Sequence, residues 1–180
     1  MVGRSRRTLG RRKNEQSHPV QSLPKVDAIG LSLGRAHAGW LPVSLRLGDF
    51  NLHVEASNVL NDPLEELVDL TAFARSSQSG FRRVCFWEEP GGYALDLQHM
   101  AFGTVLVSLQ KAAEFFPPMN AAPMSKTFRC VCPQVPLYFA FRSALADWVA
   151  RRSAGLEENW GRRSAVTSRI GALGEPLGAA

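Results

Sequence analysis

The chain has 180 residues, of which 45% are apolar and 21% charged, which is ordinary globular usage and excludes a collagen-like or wholly disordered chain. No segment approaches the run of about 18 apolar residues that identifies a membrane-spanning helix, so an integral membrane protein is excluded as well. Three cysteines cannot close a disulfide framework, and we therefore expect one soluble, cytoplasmic domain.

The net charge of +5 comes from the N-terminus. Residues 1–13 contain six basic side chains and no acidic one, whereas the rest of the chain has 15 basic against 16 acidic residues. Residues 1–30 show no apolar period, which predicts a disordered basic tail, and a chain that starts near Ala36 is expected to keep its melting temperature. The tail can neutralise phosphates without reading bases, so sequence-specific binding of nucleic acid is not expected.

The first strong pattern along the chain is a β-hairpin centred on Gly48-Asp49. Apolar and polar residues alternate on both sides of this pair, and Gly48 tolerates the positive φ of a two-residue turn. The turn and the alternation select one register, with three apolar pairs on one face: Leu47–Phe50, Leu45–Leu52 and Val43–Val54. Residues 31–41, which precede the hairpin, are ambiguous between a short strand and a loop.

Asp62-Pro63-Leu64-Glu65 predicts the start of a helix, because Asp62 can cap it and Pro63 suits its first position. Strands are expected next at 81–88, 93–99 and 104–111, with a turn at Glu89-Pro90-Gly91-Gly92. A four-residue loop would pair Glu88 with Tyr93, and a two-residue loop would pair Pro90 with Tyr93. Both registers give the same two faces: Val84, Phe86, Leu95 and Leu97 on one, and Arg83, Cys85, Trp87, Asp96 and Gln98 on the other.

The last third of the chain predicts a loop at 112–126, a strand at 127–132 and a helix that Pro136 opens and Gly155 can stop. Apolar residues recur in this helix at helical spacing, which places Leu145 and Trp148 in the core. Residues 156–180 are a tail or a short docked helix. The elements predict a single α+β domain over 31–155, with an antiparallel sheet of five or six strands and two main helices in the order β-β-α-β-β-β-β-α.

The sequence has no phosphate-binding glycine loop and no Gly-x-Ser-x-Gly nucleophile elbow. The metal-ligand candidates are Cys130-x-Cys132 with Cys85 and His99, but cysteines without a second close pair are usually buried apolar residues. We therefore predict no metal site, no cofactor and no catalytic residue. A small hydrolase that uses Glu88, Asp96 or His99 on the sheet is one alternative function.

The stretch Phe86-Trp87-Glu88-Glu89-Pro90-Gly91-Gly92-Tyr93, preceded by Asn61-Asp62-Pro63-Leu64, resembles a pattern found in small uncharacterised bacterial proteins. These proteins combine an Asp-Pro-Leu helix start with a hairpin that contains Trp-x-Glu-Pro-Gly-x-Tyr. The present chain departs from the pattern by having two glycines before the tyrosine. The resemblance covers residues 42–150 and implies a bacterial, cytoplasmic setting. It implies no activity, although such proteins are similar in size to bacterial immunity-type inhibitors.

The sequence as a whole favours a non-catalytic, protein-binding function of the immunity or accessory kind. We predict the partner-binding site at the tip of the second hairpin, formed by Trp87, Glu88, Glu89 and Tyr93. Trp87 falls beside charged residues, which is a common setting for an interface anchor, and the glutamates would attract a basic partner. For Trp87 the alternative is that the last helix covers this face and the ring belongs to the core. The alternatives are the hydrolase and a nucleic-acid binder that uses the basic N-terminal tail. The oligomeric state is not predicted.

Overall fold

A computed structural model describes residues 22–113, 124–153 and 163–174 of the chain, and shows an α+β fold. The described part holds two antiparallel sheets, of three and four strands, and three helices. In chain order the elements are β1 (Ile29–Leu33), β2 (Trp40–Leu47), β3 (Phe50–Ser57), α1 (Pro63–Arg75), β4 (Phe81–Trp87), β5 (Gly92–His99), β6 (Thr104–Ala112), β7 (Met124–Pro133), α2 (Gln134–Ser153) and α3 (Arg163–Ala172). The prediction of a single sheet with two main helices was therefore correct in class and wrong in detail.

The three-stranded sheet has the order β1-β2-β3. The hairpin of β2 and β3 has the predicted register, with Leu47 opposite Phe50, and Gly48 adopts a φ of +62° in the turn. For β1 the sequence left a short strand or a loop open over residues 31–41, and the observed strand is Ile29–Leu33. Its alternation is short and includes Gly30, which weakens the strand signal, and its pairing partner β2 lies later in the chain.

The four-stranded sheet has the order β4-β5-β6-β7, so each strand pairs with the next one in the chain. In its first hairpin Phe86 lies opposite Tyr93 and Trp87 opposite Gly92. The observed register therefore differs from both predicted alternatives, but by an even number of residues. Because side chains alternate with a period of two, the predicted division of the two faces is correct.

Residues 24–26 lie along the free edge of β7. Val26 donates its backbone N–H to the carbonyl oxygen of Val131, and Val131 donates to that of Pro24, both at 2.9 Å. Val26 is buried, and β1 begins at Ile29. The prediction of disorder up to residue 30 was thus wrong for its last part, because pairing along a strand edge needs no apolar period. Residues 1–21 lie outside the described residues.

The helices begin and end close to the predicted limits. Asp62 caps α1 by accepting from the backbone N–H groups of Leu64 and Glu65, and Pro63 is the first helical residue. Helix α2 begins at Gln134, two residues before Pro136, because proline fits the first turn of a helix. Helix α3 lies within residues 156–180, for which the sequence predicted either a tail or a short docked helix.

One cluster of buried apolar side chains joins both sheets and all three helices. Leu145 and Trp148 of α2 are fully buried in it, as the helical spacing predicted. Helix α2 contacts β1 of the first sheet, β7 of the second and helix α1. No helix in the described part of the chain is long and apolar enough to cross a membrane.

Candidate functional site

The face of the four-stranded sheet that points away from the core, called here the outer face, carries a shallow groove of about 270 Å³. Paired residues cross it in rows. One row consists of Phe81, Gln98 and Leu106, and the next of Arg83, Asp96, Ser108 and Arg129. Gln110 and Lys126 close the groove on the far side. The groove therefore combines an apolar end with a charged middle.

Arg83 and Asp96 form the centre of the groove. Arg83 donates to both carboxylate oxygens of Asp96, through Nε at 2.6 Å and Nη2 at 2.8 Å, and Gln110 donates a third hydrogen bond at 2.8 Å. The hydrogen bond to Asp96 raises the pKa of Arg83. Asp96 is thus committed to holding three strands of the sheet together, and its oxygens have little capacity left for acid–base work.

The groove has two further cations, Lys126 and Arg129. Arg129 donates to the hydroxyl of Ser108 at 3.3 Å, and Lys126 is exposed. Within the described ranges neither side chain lies within ion-pair distance of a carboxylate. Because Arg83 and Asp96 neutralise each other, the groove carries a net positive charge.

Several large apolar side chains are exposed at one end of the four-stranded sheet, called here the apolar end. This is the end at which β4 and β6 begin and β5 and β7 finish, so residues far apart in sequence meet there. Its members are Phe81, Met100, Phe102, Val135 and Phe139. Helix α2 is fixed to this end by a hydrogen bond of 2.9 Å from the Gln134 N–H to the carbonyl oxygen of Gly103.

Phe102 is the most exposed member of the apolar end. Its side chain is 100% exposed, and it adopts a φ of +60° in the turn between β5 and β6. A residue other than glycine rarely takes this left-handed conformation, and folding gains nothing from a phenylalanine in water. This site was not predicted from the sequence, although the apolar Met100-Ala101-Phe102 at a turn was a usable signal.

The predicted site at the tip of the β4–β5 hairpin lies at the opposite end of the sheet. Trp87 is on the outer face, as predicted, but it is only 2% exposed and packs with Cys85, Ala94 and Ala112. Tyr93 lies on the core side, with the Lys111 ammonium 5.7 Å from its ring. The two aromatic rings thus lie on opposite faces, and that of Trp87 is not accessible as a surface anchor.

The two glutamates of this tip differ in their surroundings. Glu88 accepts a hydrogen bond of 3.2 Å from the backbone N–H of Glu55, which links β4 to β3 across the gap between the sheets. Glu89 is exposed. A role of this tip in binding a partner stays a prediction.

The residues of the hydrolase alternative are not brought together. Asp96 lies in the groove and Glu88 at the hairpin tip, whereas the Nε2 atom of His99 lies 2.8 Å from the carbonyl oxygen of Phe73. The His99 ring also packs on the Phe73 ring, with centroids 4.5 Å apart. These contacts give His99 a structural role at the end of α1.

The structure does pair one serine with a histidine. The Oγ atom of Ser44 and the Nδ1 atom of His53 are 2.8 Å apart, on the exposed face of the three-stranded sheet. A nucleophilic serine needs a third group that orients the histidine, together with donors for an oxyanion. Within the described residues His53 has no other hydrogen-bond partner. We interpret the pair as a cross-strand contact that stabilises the sheet.

The three cysteines occupy two places. Cys130 and Cys132 are buried side by side in the core, with sulfur atoms 3.5 Å apart, whereas Cys85 is buried on the outer face. Burial raises the pKa of the Cys85 thiol to about 12. Among the described residues no three histidine, cysteine or carboxylate side chains are placed to hold a metal ion.

Comparisons of the chain with protein-family models, with curated proteins and with solved structures give no match. The resemblance to small bacterial proteins therefore depends on the short motifs around Asp62 and Trp87 alone.

Proposed function

We propose that the protein is a non-catalytic, protein-binding domain of the immunity or accessory kind, whose partner docks at the apolar end of the four-stranded sheet. The observation that carries this proposal is the clustering of exposed large apolar side chains. Of the seven such residues in the described part of the chain, five lie at this end. Exposed large apolar side chains that gather at one end of a sheet are typical of a protein interaction site.

The conformation of Phe102 supports the same conclusion. A left-handed backbone at a residue other than glycine costs about 1–3 kcal/mol, and such residues cluster at functional sites. In a partner's pocket the exposed ring of Phe102 would contribute the buried area that aromatic anchors supply in interfaces. The cost of its backbone conformation is then offset by binding.

The charge of the adjoining groove favours an acidic partner. Phe81 belongs to both surfaces, so a partner that extends from the apolar end along the groove would meet Arg129 and then Lys126. A carboxylate of the partner would find two cations there that no carboxylate among the described residues neutralises. Complementary charge of this kind gives specificity and speeds association. The bacterial, cytoplasmic setting that the resemblance implies belongs to the same proposal.

The test uses photo-crosslinking residues placed singly at positions 102, 59 and 89 of the full chain in cells of the source organism. Val59 is the matched control, since it is an exposed apolar residue away from the apolar end. We expect one defined partner to crosslink from position 102 and not from position 59. Crosslinking of that partner from position 89 alone would contradict the proposal and favour the hairpin tip.

Purified partner then allows affinities to be compared. Phe102→Ala and Phe139→Ala should each weaken binding at least tenfold, which corresponds to about 1.4 kcal/mol. Val59→Ala should leave the affinity unchanged. Because Phe102 is fully exposed, its replacement should not lower the melting temperature. Unchanged affinity in both variants would show that the apolar end is not the interface.

A second proposal is carried by the six basic residues in positions 1–13. We infer that this segment, which lies outside the described residues, gives the chain a non-specific affinity for nucleic acid. Binding of a duplex DNA should weaken steeply with salt concentration and disappear when residues 1–13 are deleted. Binding that survives the deletion would contradict this proposal.

A further inference from the structure

Cys130 and Cys132 form a close pair of thiols on β7. They are two residues apart on one strand, so both side chains point to the same face, and their sulfur atoms are 3.5 Å apart. Both are completely buried. Neither the sheet nor the proposed binding surface needs two adjacent thiols, since a pair of valines would fill a similar volume.

The strand geometry permits a disulfide between them after a small contraction. Residues two apart on a strand are separated by about 6.6 Å between Cα atoms. Disulfides span Cα distances up to about 6.8 Å but prefer about 5.5–6 Å, with the sulfur atoms about 2.05 Å apart. Closing the bond would therefore draw the two Cα atoms together by about 1 Å, which bends the chain at the residue between them.

The residue between them is Val131, and it holds the N-terminal edge segment, residues 24–26. Cys130 and Cys132 lie opposite Val107 and Val105 of β6. The backbone N–H and carbonyl of Val131 point to the other side, where they bond Pro24 and Val26 at 2.9 Å. A bend at Val131 thus misdirects the two hydrogen bonds that fix the edge segment to the sheet.

The two thiols are not equivalent. The hydrogen bond from the Cys132 thiol lowers the pKa of Cys130, whereas the same contact, burial and the negative charge of nearby Asp27 raise the pKa of Cys132. Asp27 belongs to the stretch that follows the edge segment, so displacement of this stretch also removes a charge that opposes ionisation of Cys132. We therefore take Cys130 as the attacking thiolate in the chemistry below.

We propose that Cys130 and Cys132 are an oxidisable dithiol, a covalent modification site for small disulfide oxidants, and that the disulfide they form releases residues 24–26 from β7. Oxidants reach the buried pair when the edge segment opens locally. Such openings are frequent in segments held by few hydrogen bonds.

With oxidised glutathione as the oxidant the chemistry balances. The Cys130 thiolate attacks one glutathione sulfur, a mixed disulfide forms, and one glutathione thiolate leaves and takes up a proton. The Cys132 thiolate then attacks the Cys130 sulfur and displaces the second glutathione as a thiolate, which is protonated in turn. Two protein thiols are oxidised, and one oxidised glutathione is reduced to two glutathione thiols.

The test incubates the full chain in its folded state with oxidised glutathione, followed by alkylation and peptide mapping. Trypsin cleavage after Arg129 and Arg142 places both cysteines in the peptide 130–142, and Cys85 in the peptide 84–111. We expect the peptide 130–142 to lose two hydrogens and to carry no alkyl group. Cys85 provides the internal comparison, because its thiol cannot pair with the other two across the sheet.

Limited proteolysis of the same samples reports on the edge segment. The bond between Lys25 and Val26 is protected while Val26 bonds to Val131, so brief trypsin treatment should cut it at least tenfold faster in the oxidised protein. Cys85→Ser should respond as the wild type does, and Cys130→Ser should not respond. If Cys130→Ser fails to fold, reduced and oxidised wild-type protein supply the comparison without a substitution.

Two results would overturn the proposal. Peptide 130–142 that remains doubly alkylated after prolonged oxidation would show that the pair does not form a disulfide. A complete disulfide with an unchanged cleavage rate at Lys25 would show that the bond is not coupled to the edge segment.

Discussion

At the scale of single residues, Asn61 and Glu66 protect the free edge of β4. Asn61 donates through Nδ2 to the Cys85 carbonyl oxygen at 2.9 Å, and a carboxylate oxygen of Glu66 accepts from the Cys85 N–H at 2.8 Å. An unpaired strand edge invites association with other chains. The start of α1 thus satisfies the backbone of this edge strand with side chains. Burial of Glu66 outweighs these hydrogen bonds and raises the pKa of Glu66 above its ordinary value of 4.5.

This raised pKa makes the stability contributed by Glu66 depend on pH. A group whose pKa is higher in the folded state stabilises the fold fully below its unfolded pKa and loses that contribution as pH rises through its folded pKa. Glu66→Gln keeps an oxygen that can accept from Cys85 but carries no charge. We therefore expect Glu66→Gln to gain stability relative to the wild type as pH rises from 4.5 to 7.5, measured by urea unfolding.

Glu65→Gln is the control for this experiment. Glu65 also lies in the first turn of α1, so its replacement removes the same favourable interaction with the helix dipole. The Glu65→Gln variant should not gain stability relative to the wild type as pH rises from 4.5 to 7.5. A pH-independent difference for Glu66→Gln would show that the charge of Glu66 costs the folded state nothing.

At the scale of elements, the sequence predicted best where two local signals agreed. In the β2–β3 hairpin the turn glycine and the alternation select the same register, and that register is observed. In the β4–β5 hairpin the turn residues allowed several loop lengths, so the faces were predicted correctly and the register was not. Strand β1 lacked a turn signal, and residues 24–26 pair through their backbone, which leaves no trace in a side-chain pattern.

The candidate site was harder to predict for a different reason. The alternation of β4 placed Trp87 on the outer face, but whether that part of the face is covered depends on the rest of the molecule. The apolar end joins residues from β4, the β5–β6 turn and α2, which lie up to 58 positions apart in the sequence (from Phe81 to Phe139). Only the strand order brings them to one end of the sheet.

Strand β1 leads to a prediction about truncation that reverses the expectation from the sequence. A chain that starts at Ala36 lacks β1, whose Leu33 is buried and whose Leu33 carbonyl accepts from Arg151 at 2.6 Å. Each fully buried aliphatic side chain contributes about 1.5–3 kcal/mol. We expect this truncation to lower the melting temperature by more than about 10 °C, at about 2–4 °C for each kcal/mol.

A chain that starts at Ser22 is the matched comparison, because it keeps the edge segment and β1. Its melting temperature should stay within a few degrees of that of the full chain, measured by circular dichroism. Equal melting temperatures for the two truncations would mean that β1 contributes little to the core.

At the scale of the whole molecule, α2 connects the two sheets. At its start the Gln134 side chain donates to the carbonyl oxygens of Ala74 and Ser76 at the end of α1, and its backbone holds the β5–β6 turn. At its other end Arg151 bonds to β1. Its buried side chains share one cluster with both sheets. The two sheets share no strand pairing but have a common core.

A common core predicts that both sheets unfold together. Leu45 of β2 and Leu97 of β5 are both almost completely buried, one in each sheet. Replacing either with alanine should cost about 2–5 kcal/mol. When core amides exchange only through global unfolding, the exchange rate follows the free energy of unfolding. Either substitution should then accelerate exchange equally in both sheets. A loss of about 2 kcal/mol corresponds to an acceleration of about 30-fold. Peptide-resolved hydrogen exchange measures the two sheets separately in one sample.

Phe102→Ala serves as the control, since its side chain is fully exposed and its loss should leave exchange in both sheets unchanged. Faster exchange confined to β1–β3 in Leu45→Ala, or to β4–β7 in Leu97→Ala, would mean that each sheet opens by itself. Helix α2 would then act as a hinge between two units. Equal acceleration in both sheets would show that the two sheets belong to one cooperative structure, so that a partner bound at the apolar end also stabilises the three-stranded sheet.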